Sequence, residues 1–154
     1  MRILLLRHGD AEAEADSDAL RNLSSRGKAD VWNVARQLAS RQDELQTMLV
    51  SPYLRARQTA EQVANVVSIN SIKESDKLIP EADSRQALAL LEQAAGDSLL
   101  VVSHNPLVSR LLSLLVAGSP GADRYLDTSQ LVCVETELIA PGCGRILYEL
   151  LPRA

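Results

Sequence analysis

The sequence predicts an α/β fold, in which a mostly parallel sheet carries helices on both faces and ends in an antiparallel C-terminal hairpin. Three continuous aliphatic runs, at residues 3–6, 48–50 and 99–102, have the length and character of strands buried on both faces. Between these runs, apolar residues recur every three or four positions, which is the spacing of an amphipathic helix. Because strands that alternate with helices favour a parallel sheet, this alternation sets the fold class.

The first helix is predicted to follow a polar loop that occupies residues 10–22. The segment 23–27, Leu-Ser-Ser-Arg-Gly, opens this helix, with Ser24 or Ser25 as the N-cap, because a serine hydroxyl accepts a free N–H of the first turn. The apolar positions that follow at helical spacing are Val31, Val34, Ala35 and Leu38.

Three further helices and an irregular segment are predicted along the middle of the chain. A second helix follows the second aliphatic run, with Pro52 in its first turn, and residues 68–83 are expected to be irregular. A third, short helix ends at Gly96, and a fourth covers residues 107–116 and ends at Gly118.

The C-terminal part of the chain predicts a β-hairpin. Residues 130–139 alternate between apolar and polar, Pro141 and Gly142 form the turn, and residues 145–151 return as the second strand. The chain has 154 residues and shows no internal repeat or low-complexity linker, so we expect one domain over residues 1–154.

The composition argues against several classes of function. The net charge is −4 and the aromatic fraction is 3%, which disfavours nucleic-acid binding by a basic surface or by base stacking. No apolar run approaches the roughly 20 residues of a membrane span. Cys133 and Cys143 are too few and too isolated for a disulfide framework or a four-ligand zinc site. We therefore expect a cytoplasmic protein that binds neither nucleic acid nor a membrane.

The side chains that carry chemistry follow the buried runs. Arg7 and His8 follow the first run, Arg55 lies shortly after the second, and His104 follows the third. In open α/β sheets, ligands bind beyond the carboxyl ends of the strands, so neighbouring strands would bring these four side chains into one pocket. The sequence contains two histidines, and both stand at such strand ends.

Such a pocket suits a phosphoryl group. Arginine presents paired donors that match phosphate oxygens, and neighbouring positive charge lowers the pKa of an imidazole. A neutral imidazole nitrogen is a nucleophile that can form a covalent intermediate. Helix N-termini near Pro52 and Pro106 would add N–H groups directed at an anion. The residues therefore predict phosphoryl transfer through a phosphorylated histidine, with no metal or cofactor.

Three motifs, in order along the chain, resemble those of the histidine phosphatase (phosphoglycerate mutase-like) superfamily. Residues 6–9, Leu-Arg-His-Gly, are similar to its first motif, and residues 103–106, Ser-His-Asn-Pro, are similar to its third. Residues 51–60 match its second motif, S-P-x-x-R-A-x-Q-T-A, and the segment 23–27 resembles the L-T-x-x-G that begins its first helix. The small size and the start Arg-His-Gly-Asp-Ala-Glu further resemble the SixA-type protein-phosphohistidine phosphatases of this superfamily.

The resemblance implies a role for each matching residue. His8 would be the nucleophile that becomes phosphorylated, and Arg7 and Arg55 would hold the phosphoryl oxygens. His104 would donate a hydrogen bond to the phosphoryl group and stabilise the transition state.

Four other residues are candidates for supporting roles. Gly9 would let the backbone approach the anion, and Asn105 would offer its backbone N–H. Many relatives use a carboxylic acid, between the second arginine and the second histidine, to protonate the leaving group. The candidate here is Glu81, with Asp83 behind it. Because a phosphoramidate nitrogen is protonated more readily than an ester oxygen, such an acid would matter little for a phosphohistidine.

The length of the chain between Arg55 and His104 bears on the substrate. Larger relatives insert a helical lid in this stretch, whereas here it is filled by the rest of one helix, an irregular segment and a short helix. Small metabolites usually bind in enclosed pockets, so an open site suits a phosphohistidine on the surface of another protein. We expect a monomeric phosphatase that acts on such a partner, for example a phosphotransfer domain in a phosphorelay.

Two other functions stay open at this stage. The protein could be a phosphatase of the same superfamily that acts on small phosphate esters or sugar phosphates. Alternatively, it could be a recognition module that binds phosphorylated groups without turnover.

The acidic residues within 10–18 are interpreted as a solvated loop rather than as metal ligands, because acidic runs are usually solvated.

Overall fold

The computed structural model describes residues 1–94, 96–121 and 124–153, and six strands within them form one mixed sheet. The strands are β1 (Arg2–Arg7), β2 (Leu45–Val50), β3 (Ile69–Glu74), β4 (Ser98–Ser103), β5 (Leu131–Glu135) and β6 (Arg145–Leu150). Their order across the sheet is β3, β2, β4, β1, β5, β6. The first four strands in this order run parallel, whereas β5 is antiparallel to both of its neighbours. The predicted fold class is confirmed.

Within these same residues, four α-helices cover the two faces of the sheet: α1 (Ser25–Ser40), α2 (Leu54–Val66), α3 (Ser84–Gln93) and α4 (Leu107–Ala117). In β1, Leu4 and Leu6 pack with α1 and α2, while Ile3 and Leu5 pack with α3 and α4. A strand between two helical layers needs apolar side chains on both faces, which explains the continuous aliphatic runs. Each fully buried leucine of this kind contributes about 1.5–3 kcal/mol.

The helix boundaries confirm some of the capping predictions and correct others. Ser24 is the N-cap of α1, and its Oγ accepts the Gly27 N–H at 3.0 Å. Gly118, with φ 83°, follows the last residue of α4 as predicted. The prediction for Pro52 was wrong, because α2 begins two residues later and its N-cap is Tyr53.

The end of the third helix and the turn of the C-terminal hairpin differ from the predictions. α3 ends at Gln93, so Gly96 lies beyond its C-cap rather than at it. In the hairpin, β5 ends at Glu135 and β6 begins at Arg145, which leaves a connection longer than the predicted turn at Pro141. Within the described residues, no helix is long and apolar enough to cross a membrane.

The expectation of an irregular segment over residues 68–83 was wrong, because residues 69–74 form β3. This strand lies at the edge of the sheet and pairs with β2 alone. Its side chains are largely exposed, including Ile72, so it lacks the continuous buried run that identifies the inner strands.

Candidate active site

The carboxyl ends of β1, β2 and β4 lie side by side and bring both histidines together. The His8 N–H donates to the Ser103 carbonyl at 3.0 Å, and the Ser51 N–H donates to the Val102 carbonyl at 3.1 Å. The ring centroids of His8 and His104 are 4.8 Å apart. The convergence predicted from the strand ends is therefore present.

The hydrogen bonds of His8 fix which of its ring nitrogens carries the proton. Nδ1 lies 2.6 Å from the Gly9 carbonyl, which can only accept, so Nδ1 is protonated. Nε2 is then unprotonated and accepts the Arg55 Nε–H at 3.3 Å. Burial and, to a smaller extent, the charges of Arg55 and Arg7 outweigh the Gly9 hydrogen bond and lower the pKa of His8 to about 4. The imidazole is thus neutral near pH 7, with a lone pair on Nε2.

Arg55 is a buried residue of the first turn of α2, and its guanidinium is held from the opposite side by Asp18. Nη1 donates to the Asp18 carbonyl at 2.6 Å, and Nη2 donates to the Asp18 carboxylate at 3.2 Å. Partial burial acts to raise the pKa of the Asp18 carboxyl, but hydrogen bonds from Arg21 and Arg55 outweigh it and lower the pKa. The interpretation of this loop as simply solvated was wrong for Asp18.

The loop that carries Asp18 is itself fastened to the rest of the protein. The Glu12 N–H donates to the Asn22 carbonyl at 2.8 Å, and Arg21 Nε donates to the Glu12 carbonyl at 2.7 Å. Gln58 of α2 donates to the Asn22 side chain at 2.9 Å. Among the described residues, no group of three His, Cys, Asp or Glu side chains lies close enough to hold a metal ion.

Arg7 is anchored by the segment that precedes β5. Its Nη1 donates to the Tyr125 hydroxyl at 3.0 Å and to the Leu126 carbonyl at 3.1 Å. Asn105 Nδ2 donates to the same carbonyl at 2.9 Å, and Asn105 Oδ1 accepts the Ser109 hydroxyl at 2.5 Å. The Asn105 side chain therefore supports the segment on which Arg7 rests, and the predicted role of its backbone N–H stays a prediction.

The orientation of His104 is set by Ser51. His104 Nε2 lies 2.7 Å from Ser51 Oγ, which also accepts the Tyr53 N–H at 3.3 Å. The Ser51 hydroxyl proton has a partner when it is donated to His104 Nε2. Nε2 is then the acceptor, so the ring proton of the neutral His104 lies on Nδ1. Burial lowers the pKa of His104, and the nearby His8, Arg55 and Arg7 lower it further, so this imidazole is also neutral near pH 7.

Two buried donor groups of the site are left without a partner. Within the part of the chain that the structure describes, Arg7 Nε and His104 Nδ1 have no hydrogen-bond acceptor. Buried polar groups are normally satisfied, so a site with unpaired donors beside a neutral imidazole is built for an acceptor that comes from outside. The oxygens of a tetrahedral oxyanion fit this requirement.

Gly9 has a packing reason to be glycine. A Cβ at this position would lie 2.7 Å from the Val31 side chain and 2.9 Å from the Gly27 carbonyl, both in α1. Its N–H donates to Thr59 Oγ1 at 3.1 Å, and the Thr59 hydroxyl donates to the Arg55 carbonyl at 2.8 Å. Gly9 thus links β1 to α2, and its contribution to anion binding stays a prediction.

The two candidate acids occupy different positions. Glu81 is exposed, and its Oε1 accepts the Tyr53 hydroxyl at 3.3 Å. The Tyr53 ring meets the His104 ring edge-on, with centroids 5.2 Å apart, so Glu81 is one side chain removed from the histidines. Asp83 is instead the N-cap of α3, where its carboxylate accepts the Arg85 N–H at 2.7 Å.

Asp18, Ser51 and Thr59 are the site residues that the sequence prediction did not assign. Ser51 and Thr59 stand within the motif at 51–60, so their positions carried a signal, whereas their contacts with His104 and Gly9 depend on the assembled fold. Asp18 carried no distinguishing signal among the other acidic residues of its loop.

The sheet topology and the residues at its strand ends define an α/β protein of the phosphoglycerate mutase-like class, with two arginines and two histidines at the carboxyl ends of its strands. The chain belongs to the histidine phosphatase superfamily (branch 1), whose family model matches residues 3–79. The matched range includes Arg7, His8 and Arg55.

Similar proteins align with three quarters or more of this chain. The phosphohistidine phosphatase SixA of Escherichia coli is 36% identical over 99% of this chain and 94% of its own length. A SixA homolog of Haemophilus influenzae is 30% identical over 75% of this chain and 77% of its own length. The structure of the protein histidine phosphatase SixA complexed with tungstate superposes with a TM-score of 0.84, at 32% identity, over 99% of this chain and 97% of that one.

Proposed function

We propose that this protein is a phosphatase that removes the phosphoryl group from a phosphohistidine of a partner protein, through a covalent intermediate on His8. Arg7 and Arg55 hold the phosphoryl oxygens in this proposal, and His104 donates to the same group. The 36% identity to a phosphohistidine phosphatase across nearly the whole chain supports this reaction. The likeness to a SixA structure complexed with tungstate, which is also a tetrahedral oxyanion, supports the kind of group bound.

The observation that carries the proposal is the unprotonated Nε2 of His8 among hydrogen-bond donors. The Gly9 carbonyl holds the proton on Nδ1, and Arg55 Nε donates toward Nε2 at 3.3 Å. The buried donors of Arg7 and His104 are free to bind oxygens that arrive with a substrate. A phosphoryl group in this position would meet a nucleophile at phosphorus and donors at its oxygens.

With its proton on Nδ1, His8 can accept the phosphoryl group and release it again without gaining or losing a proton. In the first step, the Nε2 lone pair forms a bond to phosphorus while the bond from phosphorus to the substrate imidazole breaks, and its electron pair leaves with the substrate nitrogen. A substrate imidazole protonated on its other nitrogen leaves as a neutral ring. Because Nδ1 of His8 keeps its proton, the phosphorylated His8 carries a positive charge on its ring.

In the second step, a water oxygen forms a bond to phosphorus while the bond to His8 Nε2 breaks. The electron pair returns to Nε2, so the charged ring becomes the neutral imidazole again and needs no added proton. One proton of the water moves to a phosphoryl oxygen and the other stays on the attacking oxygen, so inorganic phosphate leaves as H2PO4⁻. The arginine charges stabilise the negative oxygens in both steps, and this electrostatic contribution is often the largest part of such catalysis.

The segment between Arg55 and His104 supports a protein as the substrate. It contains the rest of α2, β3, a short 3-10 helix (Asp76–Leu78), α3 and β4, each of which is part of the sheet or packs against one of its faces. Within the described residues of this segment, the secondary structure is thus used for the core rather than for a lid. A site without a lid can accept a phosphohistidine that remains on the surface of its own protein.

A substrate panel tests this proposal. The kcat/KM for a histidine phosphotransfer domain carrying phosphohistidine is compared with the values for phosphoserine, phosphotyrosine and sugar phosphates, and we expect the domain to be preferred. His8→Ala should lose turnover by about 10³-fold or more and keep its binding of inorganic phosphate. Faster turnover of the small esters would contradict the substrate, and normal turnover by His8→Ala would contradict the intermediate.

A further inference from the structure

A cleft of about 720 Å³ opens beside the candidate site, and Arg7 is part of its lining. One wall is the first two turns of α1, with Arg26 and Asp30. The other walls are the segment before β5, which includes Tyr125, and the C-terminal residues, which include Leu151 and Arg153. A phosphoryl group bound at Arg7 would therefore lie at one end of this cleft.

The C-terminal wall of the cleft is a fixed surface. After β6 the chain runs along α1, where Gln37 Nε2 donates to the Leu151 carbonyl at 2.7 Å. Asn33 accepts the Arg153 N–H at 2.9 Å and donates to the Arg153 carbonyl at 3.3 Å. These contacts hold the backbone of residues 151–153 against α1 and leave the Leu151 side chain 46% exposed.

The charges around the site differ on its two sides. The cleft is lined by three arginines and two aspartates, and the exposed Arg26 pairs with Asp30 at 3.5 Å. The loop of residues 10–22, on the Arg55 side, instead carries one arginine and five acidic residues, which are Asp10, Glu12, Glu14, Asp16 and Asp18. In a chain of net charge −4, the cleft is the less negative approach to the site. An acidic surface would be directed toward the cleft and away from the loop.

We propose that this cleft is the docking surface for the phosphohistidine protein, and this rests on the function proposed above. The partner's residues beside its phosphohistidine lie along the cleft, with a carboxylate near Arg26 and Arg153. An apolar side chain of the partner packs on Leu151 and Pro152. The phosphoryl group at Arg7 fixes one end of the contact, and the C-terminal wall fixes the other.

The charge pattern argues for a protein rather than for the organic part of a small phosphate ester. Drug-sized ligands favour pockets lined mainly by apolar side chains, whereas five of the side chains that line this cleft are charged. Alternating charges with a small exposed apolar area are typical of the polar rim of a protein interface.

Charge reversal at the cleft tests the docking surface. The double variant Arg26→Glu/Arg153→Glu should raise KM for a phosphorylated histidine phosphotransfer domain by about 10-fold and leave kcat unchanged. Turnover of free phosphohistidine, which does not reach the C-terminal wall, should be unaffected. The control is Arg36→Glu, which makes the same charge change as each single substitution, at an exposed position of α1 outside the cleft.

The outcomes separate this proposal from the proposed function. An unchanged KM for the domain would overturn the docking surface, and an equal rise in KM for free phosphohistidine would show a small-molecule subsite instead. Failure of the wild type on both substrates would overturn the function. In that case, calorimetric binding of the phosphorylated domain to the wild type and to the double variant still tests docking, and equal affinities, or no binding at all, would overturn it.

Discussion

Asp18 and Arg55 are joined by two hydrogen bonds, one from Nη1 to the backbone carbonyl of Asp18 and one from Nη2 to its carboxylate. The Arg55 side chain is 5% exposed and the Asp18 side chain is 56% exposed, so the aspartate reaches inward from a surface loop to a buried guanidinium. Asp18 thus holds each terminal nitrogen through one hydrogen bond, while Nε donates to His8 Nε2 at 3.3 Å. Asp18 is thus a positioning residue for the arginine that faces the nucleophile.

Asp18→Asn should lower kcat by about 10-fold, because a small misplacement of a positioned group is costly in catalysis. The backbone contact to Nη1 remains in this variant, so we expect a partial loss rather than a complete one. The control is Asp16→Asn, which removes the same charge from an exposed position of the same loop. Equal kcat values for the two variants would show that only the charge of the loop matters.

The Ser51 hydroxyl should matter through the tautomer of His104. Ser51→Ala leaves His104 Nε2 without its donor, so the proton is no longer held on Nδ1, and we expect kcat to fall by about 10-fold. Ser103→Ala is a matched control, because its buried hydroxyl donates to the Leu78 carbonyl at 2.8 Å rather than to a histidine. Similar losses of stability with different kcat values would support this role, and similar kcat values would contradict it.

The two imidazoles should titrate well below the usual histidine pKa of about 6.5. Because the chain contains two histidines, ¹⁵N-histidine NMR can follow both. We expect His8 to titrate with a pKa of about 4 and to carry its proton on Nδ1 when it is neutral. Two titrations near pH 6.5 in the folded protein would contradict the burial and charge environment described for the site.

A lowered histidine pKa also sets how stability depends on pH. In the unfolded chain His8 binds a proton near pH 6.5, whereas in the folded protein it does so near pH 4, so stability falls as the pH drops through this window. The loss is of the order of 3 kcal/mol by pH 4. Denaturant unfolding should show a smaller loss for His8→Gln over the same range, and an identical pH slope would contradict it.

The inner part of the fold could be predicted because its signals are local. The runs at 3–6 and 99–102 are apolar at every position, which is required by helices on both faces, and Arg7, His8 and His104 follow from where these runs end. β3 could not be found this way, because an edge strand exposes most of its side chains and has no such run.

The missing parts of the site depend on contacts between distant segments. An aspartate in an acidic loop looks the same whether it is solvated or bonded to a buried arginine, and the contact of Asp18 with Arg55 joins residues 37 positions apart. Likewise, Ser51 and His104 meet because β2 and β4 are neighbours, which the order of elements along the chain does not reveal.

Glu81 should contribute little to hydrolysis of a phosphohistidine. Its carboxylate is exposed and contacts Tyr53, and a leaving imidazole that is already protonated needs no acid. Glu81→Gln is therefore expected to change kcat for a phosphohistidine domain less than 3-fold. A larger loss with a phosphate ester would fit a role as acid for oxygen leaving groups, and a large loss with the domain would contradict the mechanism proposed above.

Gly27 in the first turn of α1 should be needed for the stability of the segment after His8. A Cβ at this position would lie 2.0 Å from the Asp10 carbonyl oxygen, which also accepts the Ser24 N–H at 3.0 Å. Since the contact is with backbone, Gly27→Ala must displace either the start of α1 or the loop behind His8, at a cost of about 1–3 kcal/mol. Gly121→Ala is the control, because its Cβ would meet only Ser119 Oγ, at 3.9 Å. Thermal unfolding should show a lower Tm for Gly27→Ala alone, and equal Tm values for the two variants would rule out the steric account.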